Sequence, residues 1–123
     1  MAKILVIDDE NQLLNLLKTM LIRDGHQVFI APDGVEGIQI FNEFHPDLII
    51  TDIIMPNKDG IDVIVDVLGR NPELPIIAIS GGCRSMTSEL NLDSAKMLGV
   101  KDILEKPFTH KQLSETIERA LNL

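Results

Sequence analysis

Short apolar runs alternate five times with stretches whose apolar residues recur at helical spacing, and no other feature of the sequence constrains the fold as strongly. The runs are Ile4–Ile7, Gln27–Ala31, Leu48–Thr51, Ile76–Ile79 and Asp102–Glu105. Each reads as a strand and each intervening stretch as a helix, which is the pattern of βαβ units. Right-handed crossovers then collect the strands into one parallel sheet with helices on both faces.

The helical stretches carry their own start and stop signals. The first, about Asn11 to Asp24, places Leu13, Leu14, Leu17, Met20 and Leu21 on one stripe and stops at Gly25. The second is capped by Asp33, carries Val35, Ile38, Phe41 and Phe44, and ends at His45-Pro46 because the residue before proline avoids helical ψ. A third, about Ile61 to Leu68, carries Ile61, Ile64, Val65 and Leu68, and a short fourth near Asp93 to Leu98 stops at Gly99. The last begins at Thr109, with Gln112 completing a capping box and Leu113, Ile117, Ala120 and Leu121 turned inward. Between the fourth strand and the fourth helix, Gly81 to Leu92 is polar and longer than ordinary connections in such units, so it is expected to be the most mobile segment.

Composition narrows the function classes. A chain of 123 residues, 45% hydrophobic, predicts one domain over 1–123 with no internal repeat and no output domain. Phe is the only aromatic, so a platform for stacking bases or sugars is not expected. A net charge of -8, with 11 Lys and Arg scattered singly, opposes nucleic acid as a partner. The lone Cys83 and the lack of a Cys/His cluster at zinc spacing fit a reducing compartment. No apolar stretch approaches the roughly 20 residues of a membrane helix, so a cytoplasmic protein without membrane attachment is expected.

Four of the strand runs end in chemically useful residues: Asp8-Asp9, Asp52, Ser80 and Lys106-Pro107. Singly, each has an ordinary explanation, as a helix-start acid, a turn residue, loop chemistry or a solvated charge. Together they fit the flavodoxin-like strand order 2-1-3-4-5, in which the first and third strands lie side by side at the switch point. That doubly wound, three-layer α/β fold with five helices brings all of them to one edge. Three adjacent carboxylates repel one another unless a cation intervenes. Mg²⁺ takes hard oxygen ligands and is held by one or two carboxylates with phosphate oxygens. Asp8 and Asp9 suit the metal and leave Asp52 free as a nucleophile able to form an acyl phosphate. Lys106 and Ser80 can then balance charge on the phosphoryl oxygens.

As a set, Ile4–Glu10, Pro46–Asp52, Met55–Gly60, Ile79–Gly81 and Lys106–Phe108 closely resemble the receiver domain of two-component response regulators, over essentially the whole chain. The resemblance implies that Asp52 is the phosphoacceptor, that Asp8, Asp9, Asp52 and the Ile54 backbone carbonyl hold Mg²⁺, and that Ser80 is the switch hydroxyl. It implies that Lys106 binds the phosphoryl group and that Lys106-Pro107 is a cis peptide. The implied protein is a signalling module that takes its phosphoryl group from a histidine kinase or phosphotransfer protein and loses it slowly. It would present a changed surface, formed by the fourth helix, fifth strand and fifth helix, to a downstream partner. The sequence departs from the family at two places. Ile103 stands where an aromatic normally relays the switch, and Ile54 and Gly82 occupy positions that tune phosphoryl lifetime yet carry no side chain able to orient water. A long-lived aspartyl phosphate is therefore expected.

Three alternatives are weaker. An aspartyl-phosphate hydrolase of the haloacid dehalogenase type would place its nucleophile on the first strand in an Asp-x-Asp pattern. A flavin carrier would need a phosphate-cradling Ser/Thr loop and flanking aromatics. A receiver-like module that only binds partners is opposed by the intact Asp52 and Lys106. His26, His45 and His110 fall at turns and element starts, where surface positions are expected.

Overall fold

A computed structural model describes residues 2–53, 60–80 and 97–122, with Ser80 described through its backbone alone. Five strands, β1 (Lys3–Ile7), β2 (Gln27–Ala31), β3 (Leu48–Asp52), β4 (Ile76–Ser80) and β5 (Asp102–Glu105), form one parallel sheet in the order β2-β1-β3-β4-β5. Four helices are seen among the described residues: α1 (Asn11–Arg23), α2 (Gly34–Phe44), α3 (Gly60–Arg70) and α4 (His110–Leu121). Of the short helix expected near Asp93 to Leu98, residues 93–96 lie outside the described residues, as do the Gly81 to Leu92 segment and Cys83.

Successive strand residues point to opposite faces, so an α/β sheet covered on both sides must be apolar on both. Leu5, Ile7, Ile49, Ile76 and Ala78 pack with Phe41 of α2 and Val63, Ile64 and Val67 of α3. On the other face, Ile4, Val6, Leu48, Ile50, Ile77, Ile79 and Leu104 pack with Leu14, Leu17 and Leu21 of α1 and Leu113, Ile117 and Ala120 of α4. The result is three layers with the core divided by the sheet.

The punctuation is physical. After α1, Gly25 takes φ 97°, a conformation that favours glycine. Asp33 caps α2 by accepting the Glu36 N–H, and the Thr109–Gln112 capping box starts α4. His45 ends α2 in the left-handed region at φ 49°, directly before Pro46.

Two helix faces differ from expectation. On α3 the buried stripe is Gly60, Val63, Ile64 and Val67, whereas Val65 is 53% exposed and Ile61 and Leu68 are half-buried. The helix starts at Gly60, which lies directly on the β3 backbone, and that contact sets its rotation. On α2 the buried positions are Gly34, Gly37 and Phe41, so Val35 falls off the stripe and is 48% exposed, while Phe44 stacks on Phe29 of the edge strand. Leu121 is half-buried. His45 and His110 are exposed, the latter 2.8 Å from Asp24, but His26 is half-buried, its Nδ1 accepting the Ala2 N–H. Burial and the nearby N-terminal amine lower the His26 pKa against an opposing pull from Asp24. Among the described residues no helix is long and apolar enough to cross a membrane.

Candidate functional site

The parallel register sets the site. Ile7 of β1 lies beside Thr51 of β3, Asp52 beside Ile79 of β4, and Ser80 beside Glu105 of β5, so the residues that follow or end these strands meet on one edge. Asp8 extends the ladder beyond β1, its N–H donating to the Ala31 carbonyl at 3.1 Å. Beyond β3, the Ile53 N–H donates to the Ile79 carbonyl at 3.1 Å. The next peptide after β5, Lys106-Pro107, is cis.

Asp8 is fully buried and Asp52 is 3% exposed, which is unusual for carboxylates. Lys106 reaches between them, its Nζ 3.1 Å from Asp8 Oδ2 and 3.6 Å from Asp52 Oδ2. One oxygen each from Asp8, Asp9 and Asp52 can be chosen so that all three lie within 4.8 Å of one another. Asp8 Oδ1 accepts the Glu10 N–H at 2.9 Å, an Asx-type turn that orients the carboxylate. Its Oδ2 is ion-paired with the Lys106 ammonium. A buried carboxylate that shares one ammonium within a three-acid cluster fits the oxygen donor set of a hard divalent cation.

The electrostatics follow from burial. Desolvation, with repulsion from Asp8, pushes the Asp52 pKa from 3.8 up to about 6, against attraction from Lys106. Asp8 is also raised, by burial above all, although the Glu10 N–H and Lys106 favour its charged form. Burial alone would lower the Lys106 pKa, but the Asp52 and Asp8 carboxylates outweigh it and hold the ammonium in its charged form.

The structure therefore brings Asp8, Asp9, Asp52 and Lys106 together and ends β4 with Ser80 on the same edge. Ile54 and Gly82 lie outside the described residues. Ile103 is half-buried on β5, beside Ala78, and packs against the α2/α3 side of the sheet. The turn made by the Glu10 N–H was not anticipated from sequence, although an Asp two residues before the N-cap of a helix is its signal. A cavity of about 630 Å³, lined in part by Phe41, His45, Arg70 and Leu74, lies at the opposite edge and contains none of the clustered groups.

Comparison with known proteins agrees with this geometry. The family model described as "Response regulator receiver domain" matches residues 4–118. A probable transcriptional regulator, ycf27, of Porphyridium aerugineum is 35% identical over 119 residues, which make up 97% of this chain and 48% of that protein. The chain thus spans about half the length of that curated relative. A response regulator receiver domain protein of Clostridium thermocellum shares 35% identity at a TM-score of 0.91, with 99% of this chain and 95% of that one covered. NtrX of Brucella abortus, in a complex with ADP, shares 32% identity at a TM-score of 0.90, covering 98% of this chain and 27% of NtrX.

Proposed function

Because the chain belongs to the response regulator receiver domain family, we propose that it is a phosphoacceptor of a two-component relay, modified on Asp52. The observation that carries this reading is the nearly buried Asp52 carboxylate at the end of β3, 3.6 Å from the Lys106 ammonium and clustered with Asp8 and Asp9. A second buried acid beside the Asp52 carboxylate makes both costly to ionise, and one lysine offsets that cost only in part, so the arrangement is best explained by a cation as a further ligand.

In the reaction, an Asp52 oxygen attacks phosphorus as the bond to the donor's histidine nitrogen breaks, and that nitrogen regains a proton. The product is an acyl phosphate on Asp52. Lys106 neutralises a phosphoryl oxygen, and the Ser80 hydroxyl serves a second one. Asp8 and Asp9, with the carbonyl of Ile54, would hold Mg²⁺, whose contribution when bound is to offset negative charge on carboxylates and phosphoryl oxygens alike. Burial of Asp8 and the Glu10 N–H keep one carboxylate aimed at that position. Low exposure of Asp52, with Ile54 two residues after the acceptor and Gly82 two after Ser80, favours slow hydrolysis.

The donor class is a histidine kinase or phosphotransfer protein, and the location is the cytoplasm. Output leaves through the surface that includes β5 and α4, with Ile103 moving by rotamer or by loop displacement in place of an aromatic relay. Incubation with a small phosphodonor and Mg²⁺, followed by intact mass measurement beside Asp52→Asn, tests the central claim. One added phosphate on the wild type alone is expected, and an unmodified wild type or an equally modified variant would overturn it.

A further inference from the structure

We propose that Gly60 and Thr51 are positioning residues that clamp the Asp52–Ile53 backbone and thereby aim the acceptor carboxylate. The inference rests on Asp52 being the phosphoacceptor.

Gly60 is the first residue of α3 and is buried. A Cβ placed on it would stand 2.0 Å from the Asp52 carbonyl oxygen, 2.7 Å from Ile53 Cα and 2.9 Å from the Asp52 carbonyl carbon. All three are backbone atoms of one strand end, so no side-chain rotation relieves the overlap. Non-bonded carbon–oxygen contacts settle at about 3.3–3.6 Å. Even alanine must therefore separate α3 from β3 by about 1 Å. The Gly60 N–H also donates to the Ile53 carbonyl at 2.8 Å, which pins the next peptide unit along.

Thr51 acts on the same carbonyl. It is fully buried, and its Oγ1 donates to the Asp52 carbonyl at 3.0 Å. The Ile53 N–H is held in turn by Ile79 of β4. The Asp52–Ile53 peptide is thus fixed by a hydroxyl, by the neighbouring strand and by direct contact with a residue that lacks a Cβ, and the peptide after it by the Gly60 N–H. Gly37, Gly69 and Gly99 do not rest on strand backbone this way: the close atoms at Gly37 belong to the Ile7 side chain, Gly69 has open space, and Gly99 meets only Leu68 Cδ1. This contact lies under the one carboxylate whose placement decides phosphoryl transfer.

A reacting group displaced by about 1 Å loses on the order of 100-fold in rate. For Gly60→Ala, phosphorylation at saturating donor and Mg²⁺ should slow by about that factor, and the metal-binding isotherm of the unphosphorylated protein should shift to weaker binding. Thr51→Val, isosteric but without the hydroxyl, should slow the reaction about tenfold, the scale of one lost hydrogen bond, and Thr51→Ser should restore it. Leu74→Ala, at the opposite edge of the sheet, lowers the melting temperature without touching the clamp and should keep the wild-type rate. The experiment measures phosphate incorporation by intact mass, Mg²⁺ binding by calorimetry, and melting by circular dichroism for all four variants. Wild-type rate and metal affinity in a folded Gly60→Ala protein would sink the proposal, as would equal slowing by Leu74→Ala. If Gly60→Ala does not fold, the Val/Ser pair at Thr51 decides. Failure of the wild type to take up phosphate would refute the acceptor reading instead, which keeps the two failures distinct.

Discussion

Replacing Asp52 by Asn should make the metal-free protein more stable at neutral pH, and the size of the gain can be worked out. The Asp52 carboxyl is 3% exposed, and its pKa is raised from 3.8 to about 6, first by desolvation and then by Asp8. Between those values the folded state holds a proton that the unfolded state has released. Stability therefore falls as pH rises from 3.8 to about 6, and the penalty is complete above the folded value. A gap of about 2.2 pH units at ~1.36 kcal/mol per unit comes to about 3 kcal/mol. Asparagine keeps the shape, carries no charge, and removes that penalty. For a chain of this length the gain corresponds to a rise in melting temperature of roughly 10 °C. The assay is thermal unfolding of both proteins in chelator, followed by circular dichroism from pH 4 to pH 8. The difference should be largest at pH 7 and above, shrink as pH falls through 6, and nearly vanish near pH 4. An Asn variant less stable than wild type at pH 7, or a difference independent of pH, would refute the reasoning.

Three further outcomes are expected. Lys106→Met removes the ammonium shared by Asp8 and Asp52, so it should destabilise the metal-free protein at pH 7 by about 1–3 kcal/mol, discounted for partial solvent access, and sharply slow Asp52 phosphorylation. Urea unfolding and intact mass read the two effects. Thr109→Ala breaks the capping box of α4 and should cost about 1 kcal/mol in urea unfolding while leaving the phosphorylation rate unchanged. Ile54→Asn places a polar group where the wild type has none and should shorten the aspartyl-phosphate lifetime, measured as decay of the phosphorylated mass. Equal decay of the two proteins would contradict the long-lived phosphate.

Much of the fold was legible because its signals are redundant. Each apolar run is bounded by a turn or cap residue, and the α4 capping box is spelled out by Thr109 and Gln112. The central strands of a parallel sheet buried on both faces read as nearly continuous Ile, Leu and Val, which marks them as strands. Helix rotation was less legible. The sets Ile61, Ile64, Val65, Leu68 and Gly60, Val63, Ile64, Val67 are both helical and share a member, and hydropathy alone cannot rank them. What ranks them is the contact of Gly60 with β3 backbone, a term carried by an atom that is missing and therefore invisible to any count of apolar side chains.

The site divides in the same way. That acids and a lysine share one edge follows from strand ends and topology, but their partition does not. Asp8 proves to be the most buried acid among the described residues and sits nearer Lys106 than Asp52 does, at 3.1 Å against 3.6 Å. Local consistency is the rule in a foldable sequence, and its violations gather where function requires them. Two carboxylates buried side by side at the edge of the sheet are such a violation, since each would be more comfortable in water. Whatever neutralises them binds the folded state and not the unfolded one, so it must stabilise the protein by mass action. Stability with and without a divalent cation thus reports on the same buried charges that make Asp52 a nucleophile, and Asp52→Asn should lose part of that response because one of the charges the cation balances is gone.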